Sequence, residues 1–83
     1  MRTITLLYFA AVRDALGTAE EELTLPDTVG TVAELSLYLE GRHAALAGRL
    51  ATVRYAVNEV FATPETALTS GDVVAVIPPV SGG

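Results

Sequence analysis

The 83-residue sequence contains no cysteine. This absence excludes disulfides, thiolate metal sites and a cysteine nucleophile, and it fits a reducing compartment. Lysine is also absent, so the chain offers no side-chain amine to an activated acyl group. No apolar run approaches the roughly 18 residues of a membrane span, and the apolar N-terminal stretch is too short for a signal peptide. The sequence therefore predicts a cytoplasmic protein without a membrane partner.

Positive charge is scarce as well. Ten acidic residues oppose five arginines, which gives a formal net charge of -5 and a pI near 4.5. A chain with no basic field does not attract a phosphate backbone, so nucleic acid is not an expected partner. A hydrophobic content of 51% is too high for a disordered chain, and the length predicts a single domain over residues 1–83.

The first half of the chain shows clear periodicity. Alternating apolar residues predict a strand over 2–9, and helical spacing predicts a short helix over 10–16. Residues 19–25 are expected to form a solvent-facing strand, because alternation there is imperfect and a Pro-Asp turn closes the run. Two strands thus precede the main helix, an order that suits a mixed sheet with this helix packed across it.

The main helix is predicted from its capping residues. Thr31 and Glu34 match the T-x-x-E capping box, in which each side chain binds the other residue's amide group. An apolar stripe follows, and Gly41 provides a stop signal, so the helix is expected over 32–40. The alanine-rich segment 43–50 predicts a second short helix.

The second half is predicted to complete a sheet. Alternation over 53–57 indicates a strand, which an Asn-Glu turn joins to a brief strand over 60–62. Ser70, Gly71 and Asp72 predict a turn that leads into the uninterrupted apolar run 73–77. This run is typical of a central strand covered on both faces, and we place it parallel to the first strand. The predicted fold is α+β: a mixed sheet packed on one main helix, with a flexible C-terminal Gly-Gly tail.

Conventional active sites find little support. The single histidine, His43, has no second metal ligand nearby and is interpreted as an ordinary surface residue. The three serines lack a histidine and an acid in a G-x-S-x-G context. The Glu20-Glu21-Glu22 run is interpreted as a solvated strand edge that discourages aggregation rather than as a metal or partner site.

The C-terminus is the remaining candidate. Pro78 and Pro79 after the last strand fix an extended backbone and block further ladder hydrogen bonding, so they direct the tail away from the sheet. The tail comprises residues 78–83. Val80 can anchor it on a partner, and the small residues Ser81, Gly82 and Gly83 can thread a narrow channel.

The carboxylate of Gly83 is the predicted reactive group. A carboxylate is a poor acyl donor, so it needs activation by ATP to an acyl adenylate. Sulfide or persulfide can then displace AMP and leave a thiocarboxylate. The groups that stabilise these transition states must belong to partner enzymes, so no bound cofactor and no activity of the chain alone are expected.

Three segments carry a family resemblance: residues 8–14 (YFAAVRD), 56–59 (AVNE) and 68–83 (LTSGDVVAVIPPVSGG). Together they resemble the small subunits of molybdopterin synthase. The resemblance implies a β-grasp, ubiquitin-like fold and a sulfur carrier that donates the sulfur of a Gly83 thiocarboxylate to cyclic pyranopterin monophosphate. It also implies three partners: an E1-like adenylating enzyme, a sulfurtransferase, and the large synthase subunit in a heterotetramer.

The resemblance further implies a docking patch around the tail. Its matching positions are Phe9, Phe61 and Ile77, beside Pro79 and Val80. At the position of Ile77, the family often has a larger aromatic residue. Strand alternation alone does not decide whether Ile77 belongs to this patch or points into the core. Arg13 is a weaker candidate for a polar contact.

Other functions remain compatible with the sequence. A sulfur carrier for thiamine or for tRNA thiolation shares the fold and the Gly-Gly end. A ubiquitin-like modifier would instead form isopeptide bonds with target lysines. A passive binding module, whose terminal glycines merely fray, is the third possibility.

Overall fold

Five strands form the sheet in a computed structural model that describes residues 2–79. The strands are β1 (Arg2–Tyr8), β2 (Glu20–Leu25), β3 (Arg54–Val57), β4 (Val60–Phe61) and β5 (Val73–Ile77). The α-helices are α1 (Ala10–Leu16) and α2 (Val32–Arg42), and short 3-10 helices span Ala44–Leu46 and Leu50–Thr52. Among the residues that the structure describes, no helix is both long and apolar enough to cross a membrane.

The strands lie in the order β2-β1-β5-β3-β4. β1 and β5 run parallel at the centre, whereas β1 with β2 and β3 with both β4 and β5 are antiparallel. The predicted parallel placement of the first and last strands is therefore confirmed. The predicted mixed sheet on one main helix is confirmed too.

Helix α2 begins with the predicted capping box. Thr31 Oγ1 accepts a hydrogen bond from the Glu34 amide at 3.3 Å, and Glu34 Oε1 accepts from the Thr31 amide at 3.1 Å. The same carboxylate oxygen also accepts from the Gly30 amide at 2.8 Å. These bonds satisfy the Glu34 amide in the first helical turn and the two amides just before the helix, so they fix the start of the helix.

The core lies between α2 and one face of the sheet. Buried apolar side chains of β1, β2 and β5 meet those of α2, and leucines of the following 3-10 helices close one end. The best buried members are Ile4, Leu6, Tyr8, Leu25, Leu35, Leu39, Leu46, Val74 and Val76. We call this side of the sheet the covered face.

Two helix predictions were wrong in extent. α2 continues through Gly41 to Arg42, because this glycine adopts no left-handed conformation and only lowers helix propensity. The segment 43–50 forms no α-helix: Ala44–Leu46 is a 3-10 helix, and Gly48 then adopts a φ of 76° that a right-handed helix excludes. The helix propensity of alanine favoured a helix at residues 43–50, but the left-handed backbone at Gly48 interrupts it.

The prediction that β5 is covered on both faces was also wrong. Val74 and Val76 are fully buried, but Val73 is 38% exposed and Ala75 and Ile77 are half-buried. β5 is central, yet none of the described elements covers its second side. We call this side of the sheet the open face.

Candidate docking site at the root of the C-terminal tail

The open face carries a row of apolar side chains across four strands. Leu7 of β1 pairs with Ala75 of β5, Ala75 pairs with Ala56 of β3, and Ala56 pairs with Phe61 of β4. Residues paired directly across neighbouring strands point to the same face. Ala56 is buried but does not belong to the core cluster, in agreement with this placement. The open face is therefore apolar along its middle.

The tail leaves the sheet from its centre. β5 ends at Ile77, and Pro78 and Pro79 follow as half-buried and exposed residues outside any strand. The predicted threading residues and the reactive terminus, Val80–Gly83, lie outside the described residues, so their roles stay predictions. The structure does describe the point from which the tail starts.

The predicted docking residues gather around this point. Ile77 pairs with Arg54 and alternates with the buried Val76, which places it on the open face rather than in the core. Phe9 follows directly after Tyr8, whose partner in β5 is Val76, and it is 44% exposed. Phe9 and Ile77 therefore flank the exit of the tail from one side.

Phe61 lies on the other side of β5, on the edge strand β4, and is 67% exposed. The Arg54 guanidinium carbon lies 5.8 Å from the centroid of its ring, in the range of a cation–π contact. We define the tail-root surface as Phe9, Arg54, Phe61, Ile77 and Pro79. Sequence reasoning missed Arg54, although its position between the inward residues Val53 and Tyr55 already indicates the open face.

Arg13 lies on α1 and is exposed. Its Nε is 3.7 Å from Asp14 Oδ1, and both side chains are more than half exposed. Exposed pairs of neighbouring residues contribute little to stability, so this pair does not fix the guanidinium. Its proposed polar contact with a partner stays a prediction.

The acidic run on β2 divides between the two faces. Glu20 and Glu22 pair with Leu7 and Thr5, which places them on the open face, whereas Glu21 is turned toward the covered face. The prediction of a solvated edge holds for Glu20 and Glu22 and is wrong for Glu21. An uninterrupted run of three glutamates hides this alternation.

Glu21 is the centre of a polar cluster. Its Oε1 accepts a 2.6 Å hydrogen bond from Tyr8 Oη and lies 3.2 Å from His43 Nε2, and its Oε2 accepts from Arg42 Nη2 at 3.5 Å. The His43 side chain is only 24% exposed, so its interpretation as an ordinary surface residue was wrong. It ends α2 and connects the helix to the sheet edge.

The cluster shifts two pKa values. Burial, reinforced by the hydrogen bond to Glu21, raises the pKa of Tyr8. Partial burial tends to raise the pKa of Glu21, but the hydrogen bonds from Tyr8 and His43 and the charge of Arg42 outweigh it, so the pKa of Glu21 is lowered. This cluster lies on the covered face, where Tyr8 is buried, and not on the open face with Ile77.

A second cluster fixes the start of β5. The buried Asp72 carboxylate accepts hydrogen bonds from the Thr69 amide at 2.8 Å, Thr69 Oγ1 at 3.0 Å and Asn58 Nδ2 at 2.9 Å. Asn58 Oδ1 in turn accepts from the Val73 amide at 2.9 Å. Burial opposes ionisation of Asp72, but these bonds outweigh it and lower its pKa. The sequence indicated both turns but not the link between them.

Within residues 2–79, no group of three His, Asp or Glu side chains is arranged to hold a metal ion. The part of the site that the structure describes therefore consists of a partly apolar sheet face, the guanidinium of Arg54 and the start of the tail.

Comparison with known proteins gives the family. A sequence profile of the ThiS family matches residues 6–83. The chain belongs to the ThiS family. A relative is the molybdopterin synthase sulfur carrier subunit of Chlamydomonas reinhardtii, which is 38% identical over 82 residues, 96% of this chain and 98% of that protein. The predicted family is thereby confirmed.

Solved structures confirm the β-grasp, ubiquitin-like fold. Molybdopterin converting factor subunit 1 from Pyrococcus furiosus superimposes with a TM-score of 0.85 at 32% identity, covering 96% of this chain and 100% of that one. Small archaeal modifier protein 1 from Methanosarcina acetivorans gives a TM-score of 0.82 at 25% identity, covering 100% and 98%. The proteins similar to this chain thus include one named as a sulfur carrier subunit and one named as a modifier.

Proposed function

We propose that this protein is the sulfur carrier subunit of a molybdopterin synthase and delivers sulfur on Gly83. One observation carries the proposal: the similarity to a molybdopterin synthase sulfur carrier subunit spans 98% of that protein, and the family match extends to Gly83 itself. The tail-root surface supports it, because an exposed apolar patch beside the tail suits docking on another protein.

The proposed cycle starts at the C-terminal carboxylate. An E1-like enzyme transfers the adenylyl group of ATP to a carboxylate oxygen of Gly83 and releases pyrophosphate. Hydrosulfide supplied by a sulfurtransferase system then attacks the carbonyl carbon, AMP leaves, and a glycyl thiocarboxylate remains. No lysine side chain of the chain itself competes for the activated carbonyl.

The acceptor is the large synthase subunit. The tail enters its active site, and sulfur passes to cyclic pyranopterin monophosphate to build the dithiolene of molybdopterin. In the proposed heterotetramer, the tail-root surface binds the large subunit and the small residues beyond Pro79 occupy the channel. We place these events in the cytoplasm, where a chain without cysteine needs no oxidising environment.

The proposal is tested by reconstitution. Thiocarboxylated protein, about 16 Da heavier than the carboxylate form, is incubated with the purified large subunit and pyranopterin substrate. We expect dithiolene product from the full chain and none from a variant lacking Gly83, with Arg49→Gln as a control of unchanged activity. Absence of product from the full chain, with the mass shift verified, would contradict the proposal.

A modifier function is the second candidate, and the likeness to the small archaeal modifier protein favours it. It predicts branched peptides in which Gly83 is joined to lysines of other proteins. Mass spectrometry of cell extracts separates the two candidates, because a carrier gives the thiocarboxylate and no branched peptides.

A further inference from the structure

The five arginines of this acidic chain occupy different environments. Three of them contact oxygen atoms: Arg2 donates to backbone carbonyls, Arg13 lies beside Asp14, and Arg42 donates to Glu21. For Arg49 and Arg54, no carboxylate of the described residues 2–79 lies within 4 Å. Of these two, only Arg54 belongs to the tail-root surface.

The position of Arg54 is set by the sheet. It pairs with Ile77, the last residue of β5, and its guanidinium carbon lies over the ring of Phe61 at 5.8 Å from the centroid, within the range of a cation–π contact. Such a contact favours one placement of the side chain, while the N–H groups of the guanidinium stay available to bind a carboxylate through two hydrogen bonds. The contact with Phe61 therefore positions Arg54 for an anionic group.

Charges on the open face are separated. Glu20 and Glu22 lie on the β2 edge, while Arg54 lies beyond β5 on the opposite side of the face. A partner that receives the tail must therefore match a positive point on the β3 side and negative points on the β2 side. Such a pattern fixes the orientation of a docked partner more than it adds affinity.

We propose that Arg54 is a specificity determinant of docking, whose guanidinium, positioned by Phe61, binds a carboxylate on the surface of the large subunit that receives the tail. The inference rests on the proposed function. It explains why the cation of this surface has no acidic partner among the described residues, and it names the chemistry that the partner must supply.

The test compares three variants with the wild type by calorimetric titration of the large subunit with the full chain. Arg54→Gln is expected to weaken binding about three- to tenfold at low salt. The loss should shrink at about 0.5 M NaCl because salt screens exposed charges. Arg49→Gln removes the same charge elsewhere and should leave the affinity within about twofold. Arg54→Lys should bind with intermediate affinity, since it keeps the charge but not the planar fork.

A double-mutant cycle tests the role of the ring. In a Phe61→Leu background, Arg54→Gln should cost less than in the wild type, because the guanidinium is no longer positioned. Equal costs in both backgrounds would overturn the positioning role of Phe61.

Equal affinities of Arg54→Gln and Arg49→Gln, or a loss of affinity that is independent of salt, would overturn the role of Arg54 and leave the proposed function standing. If the wild-type chain itself does not bind the large subunit, the proposed function fails and the assignment fails with it. Thermal unfolding of each variant verifies that the fold is intact.

Discussion

The two faces of the sheet have different roles, although the same strands form both. On the covered face, Leu6, Val74 and Val76 are completely buried against α2. On the open face, their immediate neighbours Leu7 and Ile77 are only half-buried, although they are as apolar. Period-two alternation thus lets one short sequence supply both a core and an apolar surface. The covered face forms the core, whereas the apolar residues of the open face stay partly exposed to water. An exposed apolar patch of this kind is typical of a surface that binds another protein.

The sharpest test of this comparison uses adjacent leucines of β1. Leu6→Ala leaves a cavity on the covered face and should lower the free energy of unfolding by about 2–5 kcal/mol. Leu7→Ala removes the same atoms from the open face, where the environment remains open to water, and should cost less than about 1.5 kcal/mol. Urea denaturation of both variants measures the difference. Equal losses would show that the open face is part of the core.

The next test uses adjacent glutamates of β2. Glu21→Ala leaves the hydroxyl of Tyr8 without its acceptor beside the core and should cost about 1–3 kcal/mol. Glu22→Ala lies on the open face and should change stability by less than about 0.5 kcal/mol. The same denaturation measurement checks both, and a large effect of Glu22→Ala would break the comparison.

The charge of Glu21 adds a pH dependence to this test. Its folded pKa is lower than its ordinary value of 4.5, so its contribution is fully present above pH 4.5 and is lost as the pH falls through the folded pKa. Glu21→Gln cannot ionise, so the gap between wild type and variant should close on acidification. A gap that stays constant between neutral pH and about pH 3 would contradict the assigned direction.

The smallest expected effect concerns the helix that makes one face covered. Thr31→Ala removes the side-chain half of the capping box and should cost about 1 kcal/mol. Thr31→Ser keeps the hydroxyl and should retain most of the stability. The midpoint of thermal unfolding measures both. A loss from Thr31→Ser as large as that from Thr31→Ala would show that the hydroxyl is not the stabilising group.

Much of the fold could be predicted because local signals agreed with the tertiary structure. The alternation of β1, the capping box at Thr31 and the turn before β5 each have a short-range physical cause. The predictions that failed depended on long-range features. Gly41 ends no helix because it keeps a right-handed backbone, and the helix continues to Arg42, which binds Glu21 of β2. The apolar composition of β5 does not reveal that one of its faces lacks a cover.

The site was predictable in part for the same reason. Phe9, Phe61 and Ile77 came from resemblance, and the structure assembles them because strand register brings residues distant in sequence to one end of β5. Strand alternation indicates the face on which Arg54 lies, but its place in the site could not be predicted until its neighbours Phe61 and Ile77 were known. The role of Glu21 was hidden by its glutamate neighbours.

The pairing of β1 with β5 has a consequence for folding. The centre of the sheet joins two strands that are far apart in the sequence, so the sheet cannot close until β5 has paired with β1. Contacts between residues distant in sequence form slowly, and the tail-root surface depends on them. A partner that binds the tail-root surface would therefore distinguish the folded chain from an unfolded one.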